Sequence, residues 1–543
     1  MNFGKPPVGG PGAGRALGAL CGVPAVAAAL GAAELTAAPL RPQAGPLVAV
    51  GSAFIDLAPR RLKDAAIRAF GADDKLVLLI GIVATVLAIA AVAGLAARRR
   101  PRLAPALPAA LGLTAAAAAL SRPGAAPTDA LPSLVAAVVG ALALRLLLGS
   151  LSRRAVRPSQ LPPVPEIGTT APGQEAFAPS TPGLLEGGLS DRRALLRTGT
   201  ATLAFAALTG GSGRAITAAR DSAARGTGLV LPRPAESAPP LPPGSDLRIP
   251  GLSPFTTPDD GFYRVDTALV IPRVPLRDWR LRVHGLVDRP VELTFEELLR
   301  RPLIERDITL TCVSNEVGGP YAGTARWLGI DLAALLREAG VSAGADQIMS
   351  RSADGWTCGT PVETVLDGRA ALLAVGMNGR ALPPAHGFPA RLIVPGLYGY
   401  VSATKWVTEI KLTRFAGERA YWAERGWAQR APVKTASRIE VPKPFARLRA
   451  GPAVIAGVAW APHRGVAAVE VRVDGGPWRQ ARLAPSPGPD TWRQWHMTWD
   501  ATPGDHRLEV RATDTAGLTQ TADRVPPFPS GATGRHSVLV TVL

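Results

Sequence analysis

The chain has 543 residues, 47% of them hydrophobic, with a mean hydropathy of +0.16 and a formal net charge of +18. This is too long for one ordinary domain and too apolar for a typical soluble protein, so a membrane part followed by folded domains is expected. The positive charge does not indicate nucleic acid as a partner, because the arginines are scattered or flank apolar segments and no basic stripe with interleaved aromatics occurs.

Residues 1–210 carry about five apolar stretches: 17–38, 76–97, 103–120 and 131–149, each near the roughly twenty residues a bilayer core requires, and a moderately apolar fifth at 194–209. They predict an α-helical transmembrane bundle and a multi-pass protein of the cell membrane. Arg98, Arg99, Arg100 and Arg102 lie between the second and third stretches, and Arg153, Arg154, Arg157, Arg192 and Arg193 precede the fifth. Both loops are therefore expected on the cytoplasmic side, which puts everything after Gly210 on the extracytoplasmic side. In the segment 41–75 the pattern Ile55, Leu57, Leu62, Ile67, Phe70 predicts an amphipathic helix lying on the membrane surface. Arg192-Arg193 followed by leucines resembles an internal twin-arginine export signal, although ordinary cytoplasmic flanking arginines have the same pattern. All six histidines lie at or beyond His284, so the membrane segments cannot supply a bis-histidine haem. Glu34, at the end of the first stretch, is either a proton or quinone contact or simply an acid at the interface.

The stretches 157–189 and 235–254 are rich in proline, glycine, serine and alanine and predict flexible tethers, the second falling in a linker over 211–254. From Phe262 the pattern becomes that of an α+β domain spanning 255–425. Residues 280–287 alternate as a strand, and Thr294 and Glu297 form a capping box before a short helix. Asp331 caps a second helix that ends near Gly340. Residues 371–377 read as a strand closed by the Asn378-Gly379 turn, with further strands at 391–394 and 405–414.

Within this domain, Ile308 to Arg326 stands out. Ile308-Thr309-Leu310-Thr311 alternates as a strand, Cys312 follows at its end, and Ser314-Asn315 with Gly318-Gly319-Pro320 makes a tight loop. A thiol there is held by the sheet and open on its far side, a placement suited to ligating a transition metal. The residue type also fits a small buried hydrophobe, or a disulfide with Cys358. The chain's only other cysteine is Cys21 and no CxxC occurs, which excludes a disulfide framework and the usual iron–sulfur spacings.

TCVSNEVGG with the following Ala325-Arg326-Trp327-Leu328-Gly329 resembles the molybdenum-cysteine segment of the sulfite oxidase family of molybdopterin enzymes. MNGRALPPAHGFPARLIVPGLYG, Met377 to Gly399, and KWVTEIKL, Lys405 to Leu412, resemble that family's pterin-binding segment. The similarity runs from about Asp259 to Leu543, and the first part of the chain looks like the membrane-anchored bacterial branch. The resemblance implies a molybdenum–molybdopterin cofactor, with Cys312 as metal ligand and catalytic residue. It implies cofactor contacts from Tyr263, Arg264, Ser352, His386, Arg391, Ser402, Thr404 and Lys405. Two departures bear on the substrate. Where sulfite-oxidising members carry an arginine, this chain has Asn315-Glu316-Val317, and an acid at Glu316 would repel sulfite. Where the family places a tyrosine near the metal, this chain has Trp356.

Over 432–543, short strands at 453–461, 466–473, 492–499, 506–512 and 537–543 are separated by Asp474-Gly475-Gly476, Pro503-Gly504 and Thr515-Ala516-Gly517. That spacing predicts an all-β immunoglobulin-like sandwich, similar to the family's dimerisation domain. The expected function is a membrane-anchored molybdenum oxidoreductase performing two-electron oxygen-atom transfer on a small-molecule substrate, with a separate cytochrome or quinone-linked protein as electron partner. The alternative is an anchored extracellular binding protein on the same fold with an inactive metal site.

Overall fold

The computed structural model describes residues 11–59, 74–100, 105–122, 125–152, 186–224 and 229–543. The chain divides into two compact units, Met1–Arg220 and Asp221–Leu543.

The first unit is helical. Helix α1 (Pro11–Ala37) is followed by α2 (Pro46–Leu57), α3 (Asp74–Arg99), α4 (Ala106–Leu120), α5 (Leu131–Ser152) and α6 (Glu186–Ala224). Small side chains fill the interior: Cys21, Ala25, Ala28, Ala32 and Ala33 are buried, whereas Ile80, Val92, Leu113, Leu146 and Leu208 are each more than half exposed. Small residues let α1 lie close against α3 and α5. A side chain at Gly22 would sit 1.9 Å from the Ala90 carbonyl oxygen, so this contact excludes any larger residue. Arg41 pairs with Asp129 at 2.9 Å and Arg122 with Asp56, tying the connections between helices to their neighbours.

Among the described residues two helices, 77–97 and 127–150, are long and apolar enough to cross a membrane. The third expected span forms a helix of 15 residues, about 22 Å long, short of the roughly 30 Å hydrocarbon core. Helix α2 contains the first residues of the expected surface-helix pattern, Ile55 and Leu57, and the remainder of that pattern, from residue 60, lies outside the described residues. So does the first expected tether up to residue 185.

The second unit opens with β1 (Arg280–Gly285), β2 (Val291–Thr294), β3 (Ile304–Thr311), β4 (Ala322–Asp331), β5 (Gln347–Ser352), β6 (Thr357–Pro361) and β7 (Leu372–Met377). The short β8 (Arg380–Ala381), β9 (Arg391–Ile393) and β10 (Val407–Thr413) complete this part. One sheet has the order β2-β1-β10-β5-β6, with β1 and β10 parallel; the other runs β3-β4-β7-β8, with β9 also paired to β7. The capping box forms as expected: Thr294 accepts from the Glu297 amide at 3.1 Å, and the Glu297 carboxylate accepts from the Thr294 amide at 2.8 Å. Between the layers Trp279, Leu281, Leu336, Ile348, Val375 and Leu392 form a dry core.

The carboxy-terminal region is β-rich. It comprises β11 (Ala436–Val441), β12 (Arg447–Leu448), β13 (Gly451–Trp460), β14 (Val466–Val473), β15 (Arg479–Gln480), β16 (Arg482–Leu483), β17 (Arg493–Ala501), β18 (Gly504–Asp514) and β19 (His536–Val542). They form two sheets, β11-β13-β17-β16 and β12-β19-β18-β14-β15, which share a core of Ile455, Val469, Val471, Trp495, Leu508, Val510, Val538 and Val540. Alternate residues of β18 point inward, as the period of two requires.

One expectation is corrected. Residues 235–254 are not a flexible tether but a strap hydrogen-bonded along its length. Ala235 donates to the Leu303 carbonyl at 2.8 Å, and Ala238 donates to the Glu305 carboxylate at 3.2 Å. The fully buried Gln494 accepts from the Leu247 amide at 2.6 Å and donates to the Ser253 carbonyl at 2.8 Å. The strap thereby joins β3 to β17. Its composition lacks periodicity because its partners are distant in sequence.

Candidate functional site

Strand β3 ends at Thr311, and Cys312 follows with its side chain half-buried. The Cys312 amide donates to the Tyr321 carbonyl at 3.0 Å, and its carbonyl accepts from the Asn315 amide at 3.1 Å. Asn315 is buried and closes the loop by accepting from the Tyr321 amide at 2.8 Å. Desolvation raises the Cys312 thiol above its ordinary range, opposed by hydrogen bonds to Ser314 and by the charge of Lys405. Cys358 is buried elsewhere, on β6, and no disulfide forms.

Lys405 acts on this thiol electrostatically, and Arg391 and Arg264 lie in electrostatic reach of Lys405. Arg391, at the start of β9, is only 6% exposed, yet among the described residues it has no carboxylate partner. Its Nη1 donates to the His386 carbonyl at 3.0 Å, its guanidinium lies 5.1 Å from the Trp327 ring centroid, and its Nε–H is buried without a partner. Burial pulls its pKa down to about 10. Lys405 pairs with Asp266 and donates to the Ala385 carbonyl at 3.2 Å; burial, with repulsion from Arg391 and Arg264, brings it down to about 8 despite Asp266. Arg264, exposed, shares Asp266 at 2.9 Å. His386 is buried, hydrogen-bonds the Asp259 carbonyl through Nε2 at 2.8 Å, and is held neutral by desolvation, its pKa lowered to about 4. The turn that groups these side chains depends on Gly387: at φ +113°, an added Cβ would meet Arg391 Cβ at 3.0 Å and Lys405 Cα at 3.2 Å.

Tyr263 stacks on Phe262, with centroids 5.2 Å apart, and its phenol is raised well above its usual range by burial and by the nearby Cys312. Burial likewise pushes Tyr398 up to about 12, with Cys312 contributing. Cys312 thus adds to the burial that raises both phenols. Trp356 and Ser352 lie at the ends of the same turn after β5, and both carry a buried polar atom without a partner, the indole Nε1 and the hydroxyl Oγ.

The structure thus brings together Cys312, Tyr263, Arg264, His386, Arg391 and Lys405. It engages two expected contacts otherwise. The Ser402 hydroxyl reaches the Tyr398 and Leu397 carbonyls at 3.0 and 3.2 Å, and the Thr404 hydroxyl pairs with Ser350 at 2.7 Å in the interior. Two further residues join the site. Asp266 has a local signal, an acid two residues after Arg264, whereas Tyr398 becomes a neighbour only through the fold.

Of the eight buried side-chain polar atoms without a partner among the described residues, four belong to Thr311, Ser352, Trp356 and Arg391. Buried polar atoms are nearly always satisfied, so these four are exceptions to a general pattern. The described residues include no group of three or more His, Cys, Asp or Glu side chains able to hold a metal.

His386 yields a pH test. Its pKa falls from the ordinary 6.5 to about 4 on folding, so its contribution to stability is complete above about pH 6.5 and is lost as pH falls through about 4. In cofactor-free protein, lowering the pH from 7 to 4.5 should destabilise the wild type more than His386→Gln, by up to roughly 3 kcal/mol. Equal losses in paired melting curves would show that the ring is not held neutral.

Residues 268–422 match the family model described as the oxidoreductase molybdopterin binding domain. The chain is similar to the uncharacterized oxidoreductase YuiH of Bacillus subtilis, 33% identical over 156 residues, covering 28% of this chain and 73% of that protein. It is similar to the sulfite oxidase of Gallus gallus, 29% identical over 326 residues, covering 50% of this chain and 70% of that one. With an NADH nitrate reductase of Volvox carteri it shares 33% identity over 177 residues, 28% of this chain and 20% of that protein. Among solved structures it is similar to the sulfane dehydrogenase SoxCD of Paracoccus pantotrophus, at 26% identity and a TM-score of 0.48, covering 59% of this chain and 92% of that one. The matched residues include the Cys312 loop, His386, Arg391 and Lys405, and the chain belongs to the molybdopterin-binding oxidoreductase family: it is a molybdopterin-dependent oxidoreductase whose cofactor is molybdenum–molybdopterin.

Proposed function

We propose that the chain is a membrane-anchored oxidoreductase of the sulfite oxidase type, holding its metal through Cys312 and performing two-electron oxygen-atom transfer on a small substrate outside the cytoplasmic membrane. The observation that carries the reading of the site is Arg391, a buried cation with no carboxylate among the described residues and an unsatisfied Nε–H. An unpaired buried charge is costly, and a phosphate-bearing cofactor supplies the missing anion. When bound, the cofactor supplies the two-electron couple and the dithiolene sulfurs.

The protein residues would then divide the work. Cys312 offers one soft ligand from a strand end, and ligation requires its thiolate, so the proton that desolvation holds on Sγ is released on loading. Arg391 and Lys405 hold the phosphate, whose charge would raise Lys405 from about 8. Ser352 Oγ and Trp356 Nε1 present hydrogen-bond donors to ring edges. His386, neutral with Nε2 committed to the Asp259 carbonyl, leaves Nδ1 as an acceptor. Tyr263 stays protonated and can donate. Ser402 and Thr404 act through their main chain or by packing. Glu316, exposed on the loop, counts against sulfite. An anchored binding protein, the alternative left open by the sequence, gives no reason for an unpaired buried arginine beside a half-buried thiol.

Anchoring rests on the two long apolar helices and on the inverted packing of the helical unit, small residues inside and large apolar ones outside. That arrangement suits lipid rather than water as the surrounding solvent. We assign residues 1–210 to the bilayer, 255–425 to the cofactor domain and 432–543 to an immunoglobulin-like sandwich, with electrons leaving to a separate cytochrome or quinone-linked partner. The strap at 235–254 belongs with the folded domains.

Three experiments test this reading. Cys312→Ser should abolish turnover on a panel of sulfoxide, N-oxide and sulfite substrates with little change in melting point, and Arg391→Met should lower cofactor content in purified protein. Unchanged turnover in the serine variant, or full cofactor content without the guanidinium, would sink these assignments. For topology, protease added to intact spheroplasts should digest residues 262–543; complete protection of that half would refute the orientation.

A further inference from the structure

The ladder that fixes β3 stops at Thr311, so Cys312 is held by sheet hydrogen bonds on one side only. On its other side the chain runs into the loop 313–321, and a loop without further restraint is where local opening concentrates. This loop is not left free, because two side chains of the carboxy-terminal sandwich press on it.

The first is Arg438 on β11, 8% exposed. Its Nε donates to Glu440 Oε1 at 2.8 Å and its Nη2 donates to the same oxygen, while Glu440 Oε2 accepts from the Ser253 amide of the strap at 2.6 Å. With the guanidinium so oriented, Nη1 donates to the Gly319 carbonyl at 2.6 Å. The second is His536 at the start of β19, whose Nδ1 accepts from the Ile439 amide at 3.0 Å. Its ring edge lies against Gly318, where φ is +81° and an added Cβ would be 2.2 Å from His536 Cδ2. From there the restraint passes inward. A Cβ on Gly319 would be 2.6 Å from Asn315 Oδ1, that oxygen holds the Tyr321 amide, and the Tyr321 carbonyl holds the Cys312 amide.

We propose that Arg438 and His536 are positioning residues through which the carboxy-terminal sandwich sets the Cys312 loop, and hence the direction from which the thiolate meets the metal. The metal part of this inference rests on the reading of Cys312 as the ligand; the loop restraint does not. A charge-assisted hydrogen bond to a loop carbonyl, oriented by a buried carboxylate, restrains more firmly than packing alone.

The test uses the full chain in detergent. Arg438→Lys keeps the charge but cannot satisfy Glu440 and Gly319 together in the same geometry. The pair Arg438→Met with Glu440→Gln removes both charges while leaving Ser253 an acceptor, which avoids a buried unpaired carboxylate. In cofactor-free protein, iodoacetamide should alkylate Cys312 roughly ten- to a hundred-fold faster in the double variant, the change expected on losing one such hydrogen bond. Arg438→Lys should fall between, and buried Cys358 should be unchanged as an internal control. In loaded protein the metal's midpoint potential and paramagnetic spectrum should shift in the same variants. Unchanged alkylation at Cys312 and an unshifted metal signal, with only a lowered melting point, would overturn the proposal and leave Arg438 as a stabilising residue. Cys312→Ser run in parallel separates the two readings. If serine leaves the metal signal intact, the ligand assignment fails on its own; if serine changes it and the Arg438 variants do not, the positioning role fails.

Discussion

A positive charge buried without a counter-charge is the constraint on which the site depends. Arg391 is held by the His386 carbonyl and lies near the Trp327 ring, and neither contact neutralises it. Around it Lys405 and His386 both have lowered pKa values, which means that the folded chain disfavours positive charge there. Burying such a cluster is costly, and a ligand of opposite charge would offset that cost. The acidic residue in the cluster, Asp266, is shared by Lys405 and Arg264 and does not reach Arg391 as an ion pair. This arrangement connects the cofactor to the fold, because the turn at Gly387 brings the elements bearing Arg391 and Lys405 into contact.

Around that cluster the second unit is knitted from segments distant in sequence. The strap at 235–254 crosses from β3 to the carboxy-terminal sheets, and the chain that follows it reaches Phe262 and Tyr263, against the site. Gln494 and Glu440 hold it from the sandwich, Glu305 and the Leu303 carbonyl from the cofactor domain. The Cys312 loop is pressed by Arg438 and His536, and the carboxylate that orients Arg438, Glu440, also grips the strap. Glu440 binds Ser253 on one side and orients Arg438 toward Gly319 on the other. The two β-rich parts of this unit therefore meet at the site.

Much of this was legible in the sequence wherever the signal was local. Thr294 and Glu297 formed their capping box, Asp331 capped its helix through the Ala333 amide, and Asn378-Gly379 closed β7 onto β8. Cys312 at the end of a β-branched run is a local pattern, and the structure places it there. What sequence could not show was what each hydroxyl would bond to: Thr404 faces Ser350 in the interior while Ser352 is left without a partner, and nothing in their flanking residues distinguishes them. The strap was misread for the same reason, since a proline-rich segment with no periodicity is ordered here by partners more than 60 residues away. Helix α2 was legible only at its end, where Ile55 and Leu57 open the surface-helix pattern, and not at its start at Pro46.

The central claim is that one protein thiolate, from Cys312, completes a metal held otherwise by the pterin dithiolene. X-ray absorption at the molybdenum edge counts the sulfur atoms bound to the metal. The account predicts three in the native enzyme, two from the dithiolene and one from the protein, and two in Cys312→Ser with the cofactor still bound. Three sulfurs in both proteins would contradict it.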